Sequence, residues 1–132
     1  MRPPLAALAA VSLTACGGVD EILPDASGAR VETRRVVLAP ADVVEAGVAA
    51  GPGESFRIQL TAGEPTISWD IHRHDGDEII VVEQGTDVAS LDHRFEPPAR
   101  FDWAISIANG GDTDLAIDVR LELSGGRFLG WQ

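Results

Sequence analysis

From residue 31 to residue 124, apolar and polar residues alternate in short runs separated by Gly, Pro, Asn and Asp, the pattern of β-strands that bury one face. The most informative run is residues 64–74, where Ile67, Trp69 and Ile71 alternate with Ser68, Asp70 and His72, and His74 continues the polar side. A strand there buries the isoleucines and the tryptophan and presents one aspartate and two histidines together on the other face. Before it, residues 34–38 form a predicted strand, and residues 41–50 fit either a short helix or an irregular strand ahead of the Gly51-Pro52-Gly53 turn. Residues 55–61 direct Phe56, Ile58 and Leu60 inward and Arg57 and Gln59 outward. Gly63-Glu64-Pro65 then reverses the chain, which predicts a hairpin with the 67–74 strand.

His74-Asp75-Gly76-Asp77 is a turn by composition, and the β-branched run Ile79-Ile80-Val81-Val82 within residues 78–84 predicts a strand covered on both faces and closed by Gly85. Residues 88–95 are weakly patterned, and Glu96-Pro97-Pro98 belongs on an edge or in a loop because proline cannot donate to a central ladder. The clearest strand pair follows. Phe101, Trp103, Ile105 and Ile107 alternate in one member, Leu115, Ile117, Val119, Leu121 and Leu123 in the other, and Asn109-Gly110-Gly111-Asp112 turns between them. Strands at this spacing, joined by connections too short for crossover helices, predict an all-β fold: a single antiparallel β-sandwich, jelly-roll-like, of six to eight strands over residues 31–132. Trp69, Trp103, Ile105, Ile117, Val119 and Leu121 are its expected core, and the aromatics of residues 125–131 are expected to cover the sandwich end.

Composition narrows the function. The 132 residues are 45% apolar with 14 Gly and 8 Pro, consistent with one turn-rich domain. A formal charge of −11 argues against nucleic-acid partners, which need clustered cations. Cys16 is the only cysteine, so no internal disulfide is available.

The N-terminal segment bears on where the protein works. Arg2 precedes an apolar run that ends in small residues, the layout of a signal peptide over residues 1–15 and too short to span a bilayer. Leu13-Thr14-Ala15-Cys16 resembles the bacterial lipobox, and that resemblance implies acylation of Cys16, including a palmitoyl-type chain, as the mature N-terminus. Gly17 follows where the enteric inner-membrane retention rule places Asp, so the resemblance implies outer-membrane sorting. Residues 16–30 read as the lipidated cysteine and a flexible tether. A bacterial lipoprotein held in the cell envelope by its lipid, facing the periplasm or the surface, is the expectation.

The order of features from Phe56 to Glu122 is similar to the small β-sandwich of the emp24 and GOLD type. The elements that carry the likeness are Trp69-Asp70-Ile71-His72, Phe95-Glu96-Pro97-Pro98, and Phe101-Asp102-Trp103 leading to Asn109-Gly110. The resemblance implies a non-catalytic interaction module. The chain departs from the p24 proteins in lacking their coiled coil and paired cysteines, so the likeness bears on fold rather than on trafficking.

Asp70, His72 and His74 are the candidate metal ligands, with His93, Asp75, Asp77 and Asp92 as possible completers. Imidazole and carboxylate suit Zn or Cu, and neighbours two apart on a strand face stand roughly 6.5 to 7 Å apart. A solvated polar face beside an acidic turn explains the same residues. Asp75, Asp77 and Glu78 lack the calcium-loop spacing, and no serine sits in a Gly-x-Ser-x-Gly elbow. Two readings stand: a lipid-anchored, non-catalytic binding module whose partner is an envelope protein or ligand, and a periplasmic transition-metal-binding protein using Asp70, His72 and His74. A hydrolase is a weaker third.

Overall fold

A computed structural model describes residues 23, 24 and 30–132; the predicted signal peptide, Cys16 with its lipid and most of the predicted tether lie outside the described residues. The described chain is all β. Its strands are β1 (Leu23–Pro24), β2 (Arg30–Leu38), β3 (Val43–Ala50), β4 (Ser55–Ala62), β5 (Ile67–Asp75), β6 (Glu78–Val88), β7 (Ser90–Phe95), β8 (Phe101–Asn109), β9 (Leu115–Ser124) and β10 (Arg127–Trp131). They form two five-stranded antiparallel sheets, β1-β2-β9-β4-β7 (sheet A) and β10-β3-β8-β5-β6 (sheet B). The expected β-sandwich is therefore present, and the order β2-β9-β4-β7 facing β3-β8-β5-β6 is that of a jelly roll.

The pairs β5·β6, β4·β7, β3·β8 and β2·β9 are nested. The chain is one long ribbon doubled back at the Asp75-Gly76-Asp77 turn, where Gly76 takes φ 63°, and rolled so that successive arms fall in opposite sheets. Two expectations change as a result. Gly63-Glu64-Pro65 does not close a hairpin but carries the chain from β4 in sheet A to β5 in sheet B, and the Asn109 turn likewise links β8 to β9 across the sandwich. A period of two says which face a residue takes and is silent about which strand lies beside it.

The interior fills from both sheets. Trp103, Ile105, Ile117, Val119 and Leu121 are buried as expected, while Trp69 is half-buried and packs on the margin of the core. Phe56, Phe95 and Trp103 interlock with centroid separations of 5.2 and 5.0 Å, and the Trp103 indole N–H donates to the Ala50 carbonyl at 3.1 Å. The stretch 41–50 resolves into strand from residue 43 onward: Val44, Ala46, Val48 and Ala50 point inward from β3. The weakly patterned stretch becomes β7, an edge strand, and the terminal aromatics belong to β10, which pairs with β3 rather than capping the end. Leu23 and Pro24, assigned to the tether, pair with Val31 and Arg30.

The β-branched run is the largest departure. β6 is the outer strand of sheet B, so Ile79, Val81 and Val82 are 60%, 44% and 39% exposed instead of covered. A dense aliphatic run reads the same whether a neighbouring strand covers it or not.

Candidate binding face

β5 is an interior strand of sheet B, between β8 and the edge strand β6, and its even-numbered residues point away from the core. Register places Glu45, Ser106, Asp70 and Gln84 in one row across the outer face, and Gly47, Ala104, His72 and Val81 in the next. Asp70, His72 and His74 thus share a face, as their alternation predicts. His72 is only 4% exposed, not a solvated ligand. Its Nδ1–H donates to Asp70 Oδ1 at 2.6 Å, the donor assignment following from the carboxylate's having only lone pairs to offer. Its Nε2 lies 3.7 Å from Glu45 Oε2, and Ser106 Oγ donates to that same oxygen at 2.8 Å. The His74 ring stands edge-on to His72, with centroids 5.2 Å apart.

The proposed completers are elsewhere. His93, on β7 in register with Ile58 of β4, faces between the sheets, where its ring meets Trp69 at 5.3 Å and its Nε2 meets Glu83 Oε1. The body of sheet B separates it from His72 and His74. Asp92 is clamped by Arg57 on the outer face of sheet A, and Asp75 at the end of β5 and Asp77 in the turn after it are exposed. Among the described residues no group of three or more His, Cys, Asp and Glu side chains is placed to hold a metal ion. Glu45 and Ser106 are the members that sequence reasoning missed. They come from strands that only the fold brings beside β5, and Glu45 lies in the stretch whose helix or strand character was open.

Around this polar centre exposed aliphatic side chains stand among a few polar ones, Asp102, His74 and Gln84. Val43 and Leu129 on one side and Ile79 and Val81 on the other are between 43% and 60% exposed. Small residues lie between them: Ala49, Ala104 and Ala108, with Gly47 beneath the Leu129 side chain. A shallow hollow of about 270 Å³ opens beside Asp70, lined by Val43, Ser68, Gln84, Gly85, Ser106 and Ala108.

The outer face of sheet A is different in kind. Arg35 holds Asp118 through contacts of 2.9 and 3.1 Å, Arg57 holds Asp92 at 2.8 and 2.7 Å, and Arg120 reaches Glu122 at 3.5 Å and Gln59 at 3.1 Å. The hydrogen bonds from Arg57 keep the Asp92 carboxyl below the usual carboxylate range, and Asp92 in turn pushes the Arg57 guanidinium up. An open groove of about 670 Å³ runs along this face between Arg34, Arg35, Gln59 and Arg120. Among the large apolar residues exposed on the described chain, only Val37 belongs to sheet A.

No family model matches this sequence, and no curated protein does. Among solved structures the chain is similar to PliG of Aeromonas hydrophila, a periplasmic lysozyme inhibitor of g-type lysozyme, with a TM-score of 0.58 over 77% of this chain and 93% of that one. At 9% identity the likeness is one of fold: this chain builds the same kind of sandwich from an almost wholly different sequence.

Proposed function

We propose that the protein is a lipid-anchored, non-catalytic module of the bacterial cell envelope that binds another protein through its sandwich. The observation that carries this reading is the division of labour between the two sheets. Sheet A closes its surface charges into arginine–carboxylate pairs, whereas sheet B leaves Val43, Ile79, Val81 and Leu129 in water around Asp70 and Glu45. Exposed aliphatics gathered on one flat face, with polar groups among them, are the composition of a protein interface rather than of a catalytic cleft. The fold shared with a periplasmic lysozyme inhibitor supports the same class of activity, and a lysozyme is the first partner to try.

Anchoring rests on the Leu13-Thr14-Ala15-Cys16 motif. Several acyl chains, each contributing about 0.8 kcal/mol per buried CH₂, hold a protein at a bilayer far more firmly than one chain does. The expressed full chain is expected to enter the detergent phase of Triton X-114, and Cys16→Ser to remain in the aqueous phase. Equal partitioning of the two would remove the lipid anchor from the proposal. Purified Cys16→Ser protein titrated against g-type and c-type lysozymes, with lytic activity and direct binding both recorded, tests the inhibitor form of the reading.

A further inference from the structure

We infer that the outer face of sheet B docks a basic surface of a protein partner, with one partner Arg or Lys seated on the Glu45 and Asp70 carboxylates and its apolar surroundings resting on Val43, Ile79 and Val81. This deepens the binding-module reading and rests on it.

Charge pairing points to the cation. On sheet A, Asp92, Asp118 and Glu122 each have an arginine within 4.0 Å. On sheet B, among the described residues, no arginine comes within ion-pair distance of Glu45 or Asp70, whose polar contacts are His72 and Ser106. Those contacts hold both carboxylates in place while leaving each side chain 31% exposed. A carboxylate already oriented by its neighbours loses little side-chain freedom when a cation arrives. The chain's formal charge of −11 steers basic surfaces toward it over distances of about a Debye length.

Apolar flanks point to a protein rather than to a small cation. Val43 on β3 and Val81 on β6 are three strand spacings apart across the sheet, roughly 14 Å at the usual interstrand distance, and lie in rows on either side of the one that holds Glu45 and Asp70. A partner surface broad enough to touch both excludes water from the carboxylates between them, and exclusion of water strengthens an ion pair. Cationic side chains ringed by aliphatic contacts therefore match this face in charge and in breadth.

The experiment uses the full chain with Cys16→Ser and purified g-type lysozyme as the first probe, followed by an envelope extract. Carboxyl labelling with a carbodiimide and glycine ethyl ester is expected to fall at Glu45 and Asp70 on complex formation and to stay unchanged at Asp92 and Asp118. Combining Glu45→Gln with Asp70→Asn is expected to weaken binding at least tenfold and to flatten its salt dependence. Arg35→Ala with Arg120→Ala, on the opposite sheet, is expected to leave affinity within twofold. Protection at Asp92 and Asp118 instead, or unaltered affinity in the Glu45/Asp70 variant, would overturn the assignment of the face while leaving a binding module in place. If neither lysozyme nor extract produces binding or protection, the module reading itself fails, and this inference with it. Labelling of the unsubstituted face needs no stable variant, so a misfolded mutant does not block the result.

Discussion

Asn109 shows how much a single polar side chain decides here. It is 1% exposed, its amide NH₂ donates to the carbonyls of Leu38 at 2.9 Å and Thr113 at 2.7 Å, and its Oδ1 accepts from the Gly111 amide at 2.9 Å. Its backbone also exchanges hydrogen bonds with Ala41 and Asp42, so the end of β8, the β2–β3 connection and the turn into β9 meet on one residue. Removing the side chain leaves the Leu38 carbonyl without this partner in the interior and the Thr113 carbonyl and Gly111 amide, whose bonds are only partly buried, to find water, a loss of about 1–3 kcal/mol for each group that stays unsatisfied. Asn109→Ala is therefore expected to lower stability by at least about 2 kcal/mol, measurable as a shift of the urea midpoint at constant slope. An unchanged midpoint would mean that water replaces the amide. In the sequence this residue reads only as the first position of an Asn-Gly turn; that it reaches across to Leu38 follows from the tertiary structure.

Among the elements, β6 carries the greatest tension between composition and position. An exposed edge rich in Ile and Val is an invitation to unwanted strand pairing. The strand meets it with irregularity: its register against β5 slips between Ile67 and Trp69 and again between Ile71 and His72, and Asp87 adopts φ 58° beside the first slip. Such bulges twist an edge away from further pairing. Gly85 is part of the same arrangement. A Cβ at this position would stand 2.5 Å from the Trp69 indole nitrogen, so the indole lies where a side chain at 85 would be. Gly85→Ala must displace Trp69, and overpacking of this kind typically costs about 1–3 kcal/mol. We expect a lower melting temperature together with altered Trp69 fluorescence; a variant as stable as the parent would show the indole free to move.

At the scale of the whole molecule the net charge and the surface pairs act in opposite directions as the medium is acidified. Protonating unpaired carboxylates first relieves the self-repulsion of a chain with formal charge −11. The folded-state pKa of Asp92 is depressed by the hydrogen bonds from Arg57, and that of Glu54 chiefly by the Gly51 amide and also by Arg100. A carboxylate with a depressed folded pKa adds stability above its unfolded pKa and loses it as pH falls through the folded value. Stability is thus expected to hold to about pH 4 and to drop below it. Arg57→Ala should move the Asp92 titration upward in carboxyl-carbon NMR and remove part of the acid-side loss; an unmoved Asp92 midpoint would refute the assigned cause. The jelly roll also makes most pairings distant in sequence, such as Arg30 with Leu123 and Val43 with Ala108, which places folding among the slower topologies.

The alternation of apolar and polar residues was enough to establish that the described chain is all β, that it forms a sandwich, and that Trp103, Ile105, Ile117, Val119 and Leu121 fill its centre, because side-chain direction in a strand is a local property of the backbone. It also determined that Asp70, His72 and His74 share a face. Which strands are neighbours is a matter of nested long-range pairing, which no local run of residues encodes. That pairing turned two expected hairpins into sheet crossings, moved the Ile79–Val82 run to an edge, set His93 between the sheets, and brought Glu45 and Ser106 to His72. Local periodicity has no term for a partner that lies tens of residues away, so the polar cluster at the centre of sheet B emerges only once β3, β8 and β5 lie side by side.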